Sequence, residues 1–159
     1  MPSKADIRKT FINELVALAE ADESIWLLTA DVGFGVLEAF ADRFPERYVN
    51  GGIAEQNLMG VAAGLAMQGK HPFVFSMGNF IVLRCLEQIS VAVCHKNLPV
   101  TIVGVGGGDS YHWYSHKSVI DDKAAALIPN MTVYTPETSE ELSGIMRSLP
   151  ESPSYIKIL

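Results

Sequence analysis

Glu55 is the residue whose surroundings most strongly indicate chemistry. It follows the pair Gly51-Gly52 and stands in the first turn of a helix predicted over residues 54–68. An acid at this position is in most proteins simply favoured by the helix dipole, which contributes about 0.3–1 kcal/mol. The predicted helix is apolar, however, and a carboxylate held in an apolar interface can share a proton with a ring nitrogen.

The same helix is rich in alanine and glycine, with small residues at Gly60, Ala63, Gly64 and Ala66. Glycine inside a helix costs about 1 kcal/mol relative to alanine, so its presence needs a reason. Small side chains on one face let another backbone approach closely. We therefore expect this face to pack tightly against a neighbouring helix.

Two histidines form a second group of candidate chemical residues. His112 and His116 lie in the segment 109–118, which is polar and aromatic, has no hydrophobic period and is typical of a functional loop. A single histidine is more often structural, but two among the aromatic residues Tyr111, Trp113 and Tyr114 favour a functional role. Their spacing of four would suit two zinc ligands, yet no third ligand is evident, so we expect no metal site here.

Strand and helix patterns alternate along the chain. Apolar runs predict strands over 25–30, 47–50, 72–76, 99–105, 131–134 and 154–158. Helical patterns cover about 3–21, 36–44, 54–68, 80–95, 120–127 and 135–149, the last with a cap at Thr135-Pro136-Glu137. This alternation predicts an α/β fold of three layers, α/β/α, with a mainly parallel sheet of about six strands. Ligands bind beyond the carboxyl ends of such strands, which places sites at 31–35, 50–56, 76–80 and 105–118.

Composition narrows the classes of function. A length of 159 residues suits one domain, and a net charge of −6 argues against nucleic-acid or anionic-membrane binding. No apolar run reaches membrane-spanning length, and the N-terminus has no signal-peptide core. Cys85 and Cys94 lie nine residues apart in one predicted helix, where they cannot easily be bridged. Free thiols fit a reducing compartment, so we expect a cytoplasmic protein.

Several segments resemble the pyrimidine-binding domain of transketolase-like, thiamine-diphosphate-dependent enzymes. GGIAEQNLMGVAAGLA at 51–66 resembles the family motif GIAEQNMVGIAAGLA almost residue for residue. HPFVFSMGNFIVLRCLEQISVAV at 71–93 resembles PFVHTFATFLSRRAYDQIRVDVA, and NLPVTIVGVGGG at 97–108 resembles NLPVKIVGSHAG. ALIPNMTVYTPET at 126–138 is similar to AIPNMTVLSPAD. The resemblance covers nearly the whole chain and implies the thiamine-diphosphate-binding fold.

The resemblance implies roles for five residues on the cofactor side. In the family, the glutamate matching Glu55 hydrogen-bonds N1′ of the aminopyrimidine and promotes the imino tautomer, which removes the thiazolium C2 proton. Phe80 matches the aromatic residue that stacks on the pyrimidine, although it could instead be a core aromatic residue. Met77 falls on an upstream aromatic position of the same pocket. Asp31, in the loop after the first strand, and Gly52 are further expected cofactor-binding residues.

On the substrate side the sequence departs from the family. His116 matches a histidine that contacts a substrate oxygen or helps proton transfer, and Asp121 follows five residues later, as the family aspartate does. His112 stands where the family has an acidic residue. We expect His112 and His116 to face the substrate. The departure from the family at His112 argues against the usual sugar-phosphate substrate.

The family also needs a domain that holds Mg²⁺ and the diphosphate, usually through a GDG motif followed by asparagines. This sequence has no GDG motif. We therefore expect residues 1–159 to be a single pyrimidine-binding domain, without the diphosphate-binding domain or the C-terminal transketolase domain. Its expected partner is a diphosphate-binding, Mg²⁺-holding subunit in a homo- or hetero-oligomer, unless the chain is a fragment.

The expected function is transfer of a two-carbon ketol or acyl unit from a ketose or 2-oxo acid, through the C2 carbanion of thiamine diphosphate. Three alternatives stay open. The chain could belong to a 2-oxo-acid decarboxylase or dehydrogenase, or to an enzyme like deoxyxylulose-phosphate synthase. It could also be a non-catalytic module that retains the fold.

Overall fold

The computed structural model describes residues 4–106 and 114–158. Its strands form one six-stranded sheet of order β2-β1-β3-β4-β6-β5, in which every neighbouring pair is parallel. The strands are β1 (Ile25–Thr29), β2 (Tyr48–Asn50), β3 (His71–Met77), β4 (Thr101–Val105), β5 (Thr132–Tyr134) and β6 (Ser154–Ile158). The predicted α/β fold with a parallel sheet of about six strands is confirmed.

The helices of the described residues are α1 (Lys4–Ala21), α2 (Glu38–Arg43), α3 (Glu55–Met67), α4 (Leu86–Gln88), α5 (Asp121–Ala126) and α6 (Ser139–Met146). Short 3-10 turns cover Pro45–Arg47 and Tyr114–His116. The helix predicted over 80–95 is in place, but π-helical turns at Asn79–Leu83 and Ile89–Cys94 flank α4. Such wide turns leave no hydrophobic signature that differs from that of an α-helix.

Helices cover both faces of the sheet. Because side chains alternate along a strand, Leu27 and Phe73 point into one layer, with α1, α2 and α6. Leu28 and Val74 point into the other layer, with α3, α5 and the segment 79–94. All four side chains are fully buried. A strand that is buried on both faces must be apolar at successive positions, which explains the continuous runs in the sequence.

The start of α6 differs from the prediction. Thr138 is the residue that caps this helix, because its side-chain oxygen accepts a hydrogen bond from the Glu141 amide at 3.1 Å. The predicted cap at Thr135-Pro136-Glu137 is therefore wrong by three residues. Both threonines are suitable capping residues, and only the path of the chain after β5 selects between them.

The small residues of α3 lie on two different faces. Ala63 and Ala66 are buried against the core, as expected. Gly60 is exposed, and a side-chain carbon added at Gly60 or Gly64 would meet no atom of the described residues within 4 Å. Within the described part of this chain no helix packs on these two glycines, so the packing expected there is not made by these residues. Their face of α3 is open.

Two smaller expectations concern thiols and membranes. Cys85 and Cys94 are buried and free, in agreement with the prediction that they are not bridged. Across the residues that the structure describes, no helix combines the length and the apolar character needed to cross a membrane.

Candidate active site

The predicted site segments meet at one edge of the sheet. Asp31 lies just after β1, and Gly51 and Gly52 follow β2. Gly78 follows β3, and Gly106 follows β4. Because all strands are parallel, their carboxyl ends share an edge, which is where ligands bind in such folds.

Asn50 connects the loop after β1 to the turn that leads into α3. The Asp31 amide donates to the Asn50 side-chain oxygen at 3.2 Å, and the Asn50 amide nitrogen donates to the Asp31 carboxylate at 3.3 Å. The Gly52 amide donates to the same Asn50 oxygen at 3.0 Å. Gly52 has φ +70, which glycine adopts without strain. Asn50 was not predicted from the sequence; an asparagine at a strand end before two glycines is the signal that could have found it.

Glu55 is the first residue of α3 and is buried, with 5% of its surface exposed. The helix dipole favours its negative charge at this position. Both carboxylate oxygens lie 3.3 Å from Nη1 of Arg84, whose side chain is 49% exposed. Arg84 was not predicted as a site residue. Its spacing of four from Phe80 in a helical segment was the available signal, since such residues share a face.

Arg84 also joins Glu55 to Phe80. Its guanidinium carbon lies 3.9 Å from the centroid of the half-buried Phe80 ring. The ring of His116 packs on the same Phe80 ring. The two ring centroids are 5.2 Å apart, and the ring planes meet at 75°. The structure thus brings three predicted site residues together, with Arg84 between two of them.

The turn that carries His116 is fixed from beneath. The Asn79 side-chain nitrogen donates to the carbonyl of Ser115 at 3.2 Å and to that of Lys117 at 2.6 Å. Gly106 has φ +104, and an added side-chain carbon there would lie 2.8 Å from the His116 carbonyl oxygen. The imidazole Nδ1 lies 3.0 Å from the Ser115 hydroxyl. These contacts hold the histidine ring at the mouth of the site. His112 lies outside the described residues.

Met77 and Asp31 line a different cleft from Glu55. Met77 is almost fully buried and borders a cleft of about 300 Å³ together with Asp31. Glu55 and Arg84 line a cleft of about 450 Å³ whose other lining residues are Ile53, Ala54, Gln56 and Asn57. Three of the predicted cofactor-binding residues are therefore divided between two clefts, with Asp31 and Met77 at one and Glu55 at the other.

A buried polar cluster lies behind the site. The Asp121 carboxylate is fully buried and accepts hydrogen bonds from the Tyr155 hydroxyl and, at 3.2 Å, from Lys157 Nζ. Lys157 also reaches Asp122 at 2.7 Å. Burial first, and then the charge of Asp121, raise the pKa of Tyr155 above its usual range, so this phenol stays protonated as a donor.

Two glycines make room for this cluster. An added side-chain carbon at Gly78 would stand 2.6 Å from the Asp121 carboxylate and 2.7 Å from the Ser118 hydroxyl. At Gly104 it would stand 2.8 Å from Cε2 and Cζ of Tyr155 and closer still to the hydroxyl. The cluster therefore requires glycine at both positions, one in β4 and one directly after β3.

Two further properties bear on the chemistry. Burial, with the charge of Glu55 adding to it, raises the pKa of the Cys85 thiol to about 12. This cysteine is therefore a packing residue rather than a nucleophile. Within residues 4–106 and 114–158, no three potential metal ligands come together.

The chain is similar in sequence and structure to known proteins. The family model described as transketolase, pyrimidine binding domain matches residues 3–157. The chain is 34% identical over 158 residues to the 6-deoxy-6-sulfo-D-fructose transketolase subunit SqwH of Clostridium sp. strain MSTE9, covering 96% of this chain and 49% of that protein. It is 34% identical over 156 residues to a subunit of the apulose-4-phosphate transketolase of Phocaeicola vulgatus, covering 95% of this chain and 50% of that one.

A solved structure described as a split gene transketolase, inactive beta4 tetramer, is 35% identical and has a TM-score of 0.85. The match covers 96% of this chain and 50% of that one, so the chain spans about half the length of each of these three proteins. The chain belongs to the family of transketolase pyrimidine-binding domains.

Proposed function

We propose that this chain is the pyrimidine-binding component of a two-component, thiamine-diphosphate-dependent transferase of the transketolase type. The observation that carries the proposal is the buried Glu55 carboxylate, which lies at the start of α3, borders a cleft and shares its partner Arg84 with the Phe80 ring. Relatives that share about a third of its residues are named as transketolase subunits, which supports a separate partner chain.

The side chains present suit an aminopyrimidine. Such a ring needs a flat apolar face to stack on and a carboxylate at one ring nitrogen. Phe80 offers the first and Glu55 the second, joined by a guanidinium that touches both. A cleft of about 450 Å³ is of the size that small cofactor groups use. When bound, thiamine diphosphate would supply the nucleophilic carbon of the reaction.

Each side chain of this domain then has a defined task. Glu55 holds a proton at the N1′ nitrogen of the ring, and burial keeps water from competing for it. Phe80 orients the ring, while Asp31, Gly52 and Met77 form neighbouring walls at the same strand ends. His116, held by its turn against Phe80, moves or holds a proton at a substrate oxygen, and His112 contributes to the same side.

The remaining parts of the proposal concern the assembly. The partner is a diphosphate-binding subunit that holds Mg²⁺, and the two chains form an oligomer. The open face of α3 at Gly60 and Gly64 supports such a contact. The substrate is a small ketose or 2-oxo acid, from which a two-carbon ketol or acyl unit is transferred. The two free, buried thiols support a reducing, cytoplasmic setting.

The test is co-expression with a diphosphate-binding subunit of this family. Calorimetry measures thiamine diphosphate binding in the presence of Mg²⁺, and a panel of ketoses and 2-oxo acids identifies the reaction. For Glu55→Gln we expect binding within a few fold of wild type and a loss of activity of about 10²–10⁴-fold. Glu20→Gln is the matched control, because Glu20 pairs with Arg43 on the surface, away from the site. Full activity in Glu55→Gln would remove Glu55 from the mechanism.

A further inference from the structure

Arg84 engages both of the groups that the proposed function assigns to the cofactor ring. One guanidinium nitrogen lies 3.3 Å from each oxygen of Glu55, and the guanidinium carbon lies 3.9 Å from the centroid of the Phe80 ring. A guanidinium is flat, stacks on aromatic faces and donates N–H bonds to carboxylates. An aminopyrimidine is also flat and also presents nitrogen to a carboxylate. The two groups therefore compete for the same pair of side chains.

The structure leaves the Arg84 side chain able to move while its backbone is held. The Gln56 side-chain nitrogen donates to the Arg84 carbonyl at 2.9 Å, which ties the helical segment to the start of α3. The Arg84 side chain is 49% exposed, whereas that of Glu55 is 6% exposed. An arginine that is half in water can swing outward at little cost, because water replaces its contacts. The buried carboxylate cannot follow it.

The position of the guanidinium gives a second reason why this contact must break. Arg84 covers the ring of Phe80, on which the cofactor is proposed to stack. The cofactor ring can reach that face only when the guanidinium has left it.

We propose that Arg84 is a placeholder in the pyrimidine site: its guanidinium occupies Glu55 and the face of Phe80 in the cofactor-free chain, and the cofactor ring must displace it. This inference rests on the proposed function. It assigns to Arg84 a control of cofactor affinity that is separate from catalysis. Displacement breaks an ion pair with a half-exposed arginine and a cation–π contact. We therefore expect Arg84 to lower the affinity for the cofactor ring by about 3- to 10-fold.

The experiment uses residues 1–159 without a partner and a fragment of the cofactor, 4-amino-5-hydroxymethyl-2-methylpyrimidine. A ligand of this size is expected to bind with a dissociation constant of millimolar order. Nuclear magnetic resonance follows the Phe80 ring and the Glu55 side-chain carboxyl during titration at a pH where the fragment is neutral. The variants are Arg84→Met, which keeps an apolar stem without the charge, and Arg84→Lys, which keeps the charge without the plane.

Arg43→Met is the matched control. Arg43 also pairs with a glutamate, Glu20 at 2.6 Å, and also lies near an aromatic ring, that of Phe44 at 5.9 Å. It is remote from Glu55, so its loss changes the surface in a similar way without touching the proposed site. We expect Arg84→Met to bind the fragment about 3- to 10-fold more tightly than wild type. The affinity of Arg84→Lys should lie between these two, and that of Arg43→Met should equal wild type.

Salt provides a test that needs no variant. Raising the salt concentration from about 0.05 M to about 0.5 M screens the Arg84–Glu55 pair and should tighten fragment binding to the wild-type chain. The affinity of Arg84→Met should change less. Equal or weaker binding by a folded Arg84→Met, or wild-type affinity that does not rise with salt, would overturn the placeholder role alone. If neither the wild-type chain nor Arg84→Met bound the fragment at its highest soluble concentration, both this inference and the proposed pyrimidine site would be overturned.

Discussion

Two buried acids lie near the carboxyl ends of the strands, and the cationic side chains that pair with them differ in their exposure to solvent. Glu55 pairs with Arg84, whose side chain is 49% exposed, and the two groups are 3.3 Å apart. Asp121 pairs with Lys157, whose side chain is 9% exposed, and it also accepts from the buried Tyr155 hydroxyl. The first pair can separate by moving one side chain into water. The second cannot separate without leaving a charge inside the protein.

This difference indicates which acid is available for chemistry. A carboxylate that can exchange its partner can bind a ligand, whereas a carboxylate held by two buried donors can only stabilise the fold. Asp121 links α5 to β6, and its helix follows the turn that carries His116. The fixed pair therefore supports the edge on which the movable pair works. Substitutions in each pair should separate the two roles.

The largest loss of unfolding free energy is expected from Asp121→Ala. The substitution leaves the Tyr155 hydroxyl without its acceptor and removes one of two carboxylates from Lys157. We expect a loss of about 3 kcal/mol, the lower end of the range for breaking a buried pair, because Asp122 still reaches Lys157. Urea unfolding measures it. Asp122→Ala is the control on the same helix, and because Asp122 is 25% exposed its cost should be well below that of Asp121→Ala.

The next effect is expected from Gly104→Ala. The added methyl group would overlap the Tyr155 ring, so the buried cluster must shift, at a cost of about 1–3 kcal/mol. The control is Gly64→Ala, where the new methyl meets nothing within 4 Å. Gly64 is a helix-interior position, so alanine should stabilise the chain by about 0.5–1 kcal/mol. Equal and small changes at both glycines would show that the cluster is not rigid.

A smaller effect is expected when the movable pair is broken. For Arg84→Met the unfolding free energy should change by less than about 1 kcal/mol, because the arginine is half exposed and its contacts are shared with water. The same urea experiment as for Asp121→Ala measures it, with Arg43→Met for comparison. A loss of several kcal/mol would mean that Arg84 is a structural residue like Lys157, and the contrast between the two acids would disappear.

Much of the fold followed from apolar runs and their spacing, because strands buried on both faces must be continuously apolar. The strand-end rule and the resemblance of several segments to the family then placed Glu55, Phe80 and His116 at one edge, where the structure has them. These features depend on local pattern and on a topology that parallel strands impose. The α6 cap was harder, because two threonines could serve equally well.

The side-chain partners were not predictable in the same way. The Asp121–Tyr155 contact joins residues 34 apart, and Asn50 reaches back 19 residues to Asp31. Neither separation leaves a periodic signal in the sequence. The exposure of Gly60 within this chain could not be predicted, because spacing shows which residues share a helix face but not which face is buried. Arg84 was missed because the conformation of a half-exposed arginine depends on the groups that surround it.

The smallest expected difference is in the labelling rates of the two thiols. Cys85 lies beside the movable pair, and Cys94 lies at the far end of the same helical segment; burial raises the pKa of the first to about 12 and of the second to about 11. At pH 8 both should be almost entirely protonated and should react with iodoacetamide only when the protein unfolds. Equal, slow rates followed by mass spectrometry would mean that Arg84 moves as a side chain alone. Faster labelling of Cys85 than of Cys94, abolished by Arg84→Met, would mean that the helical segment opens with it.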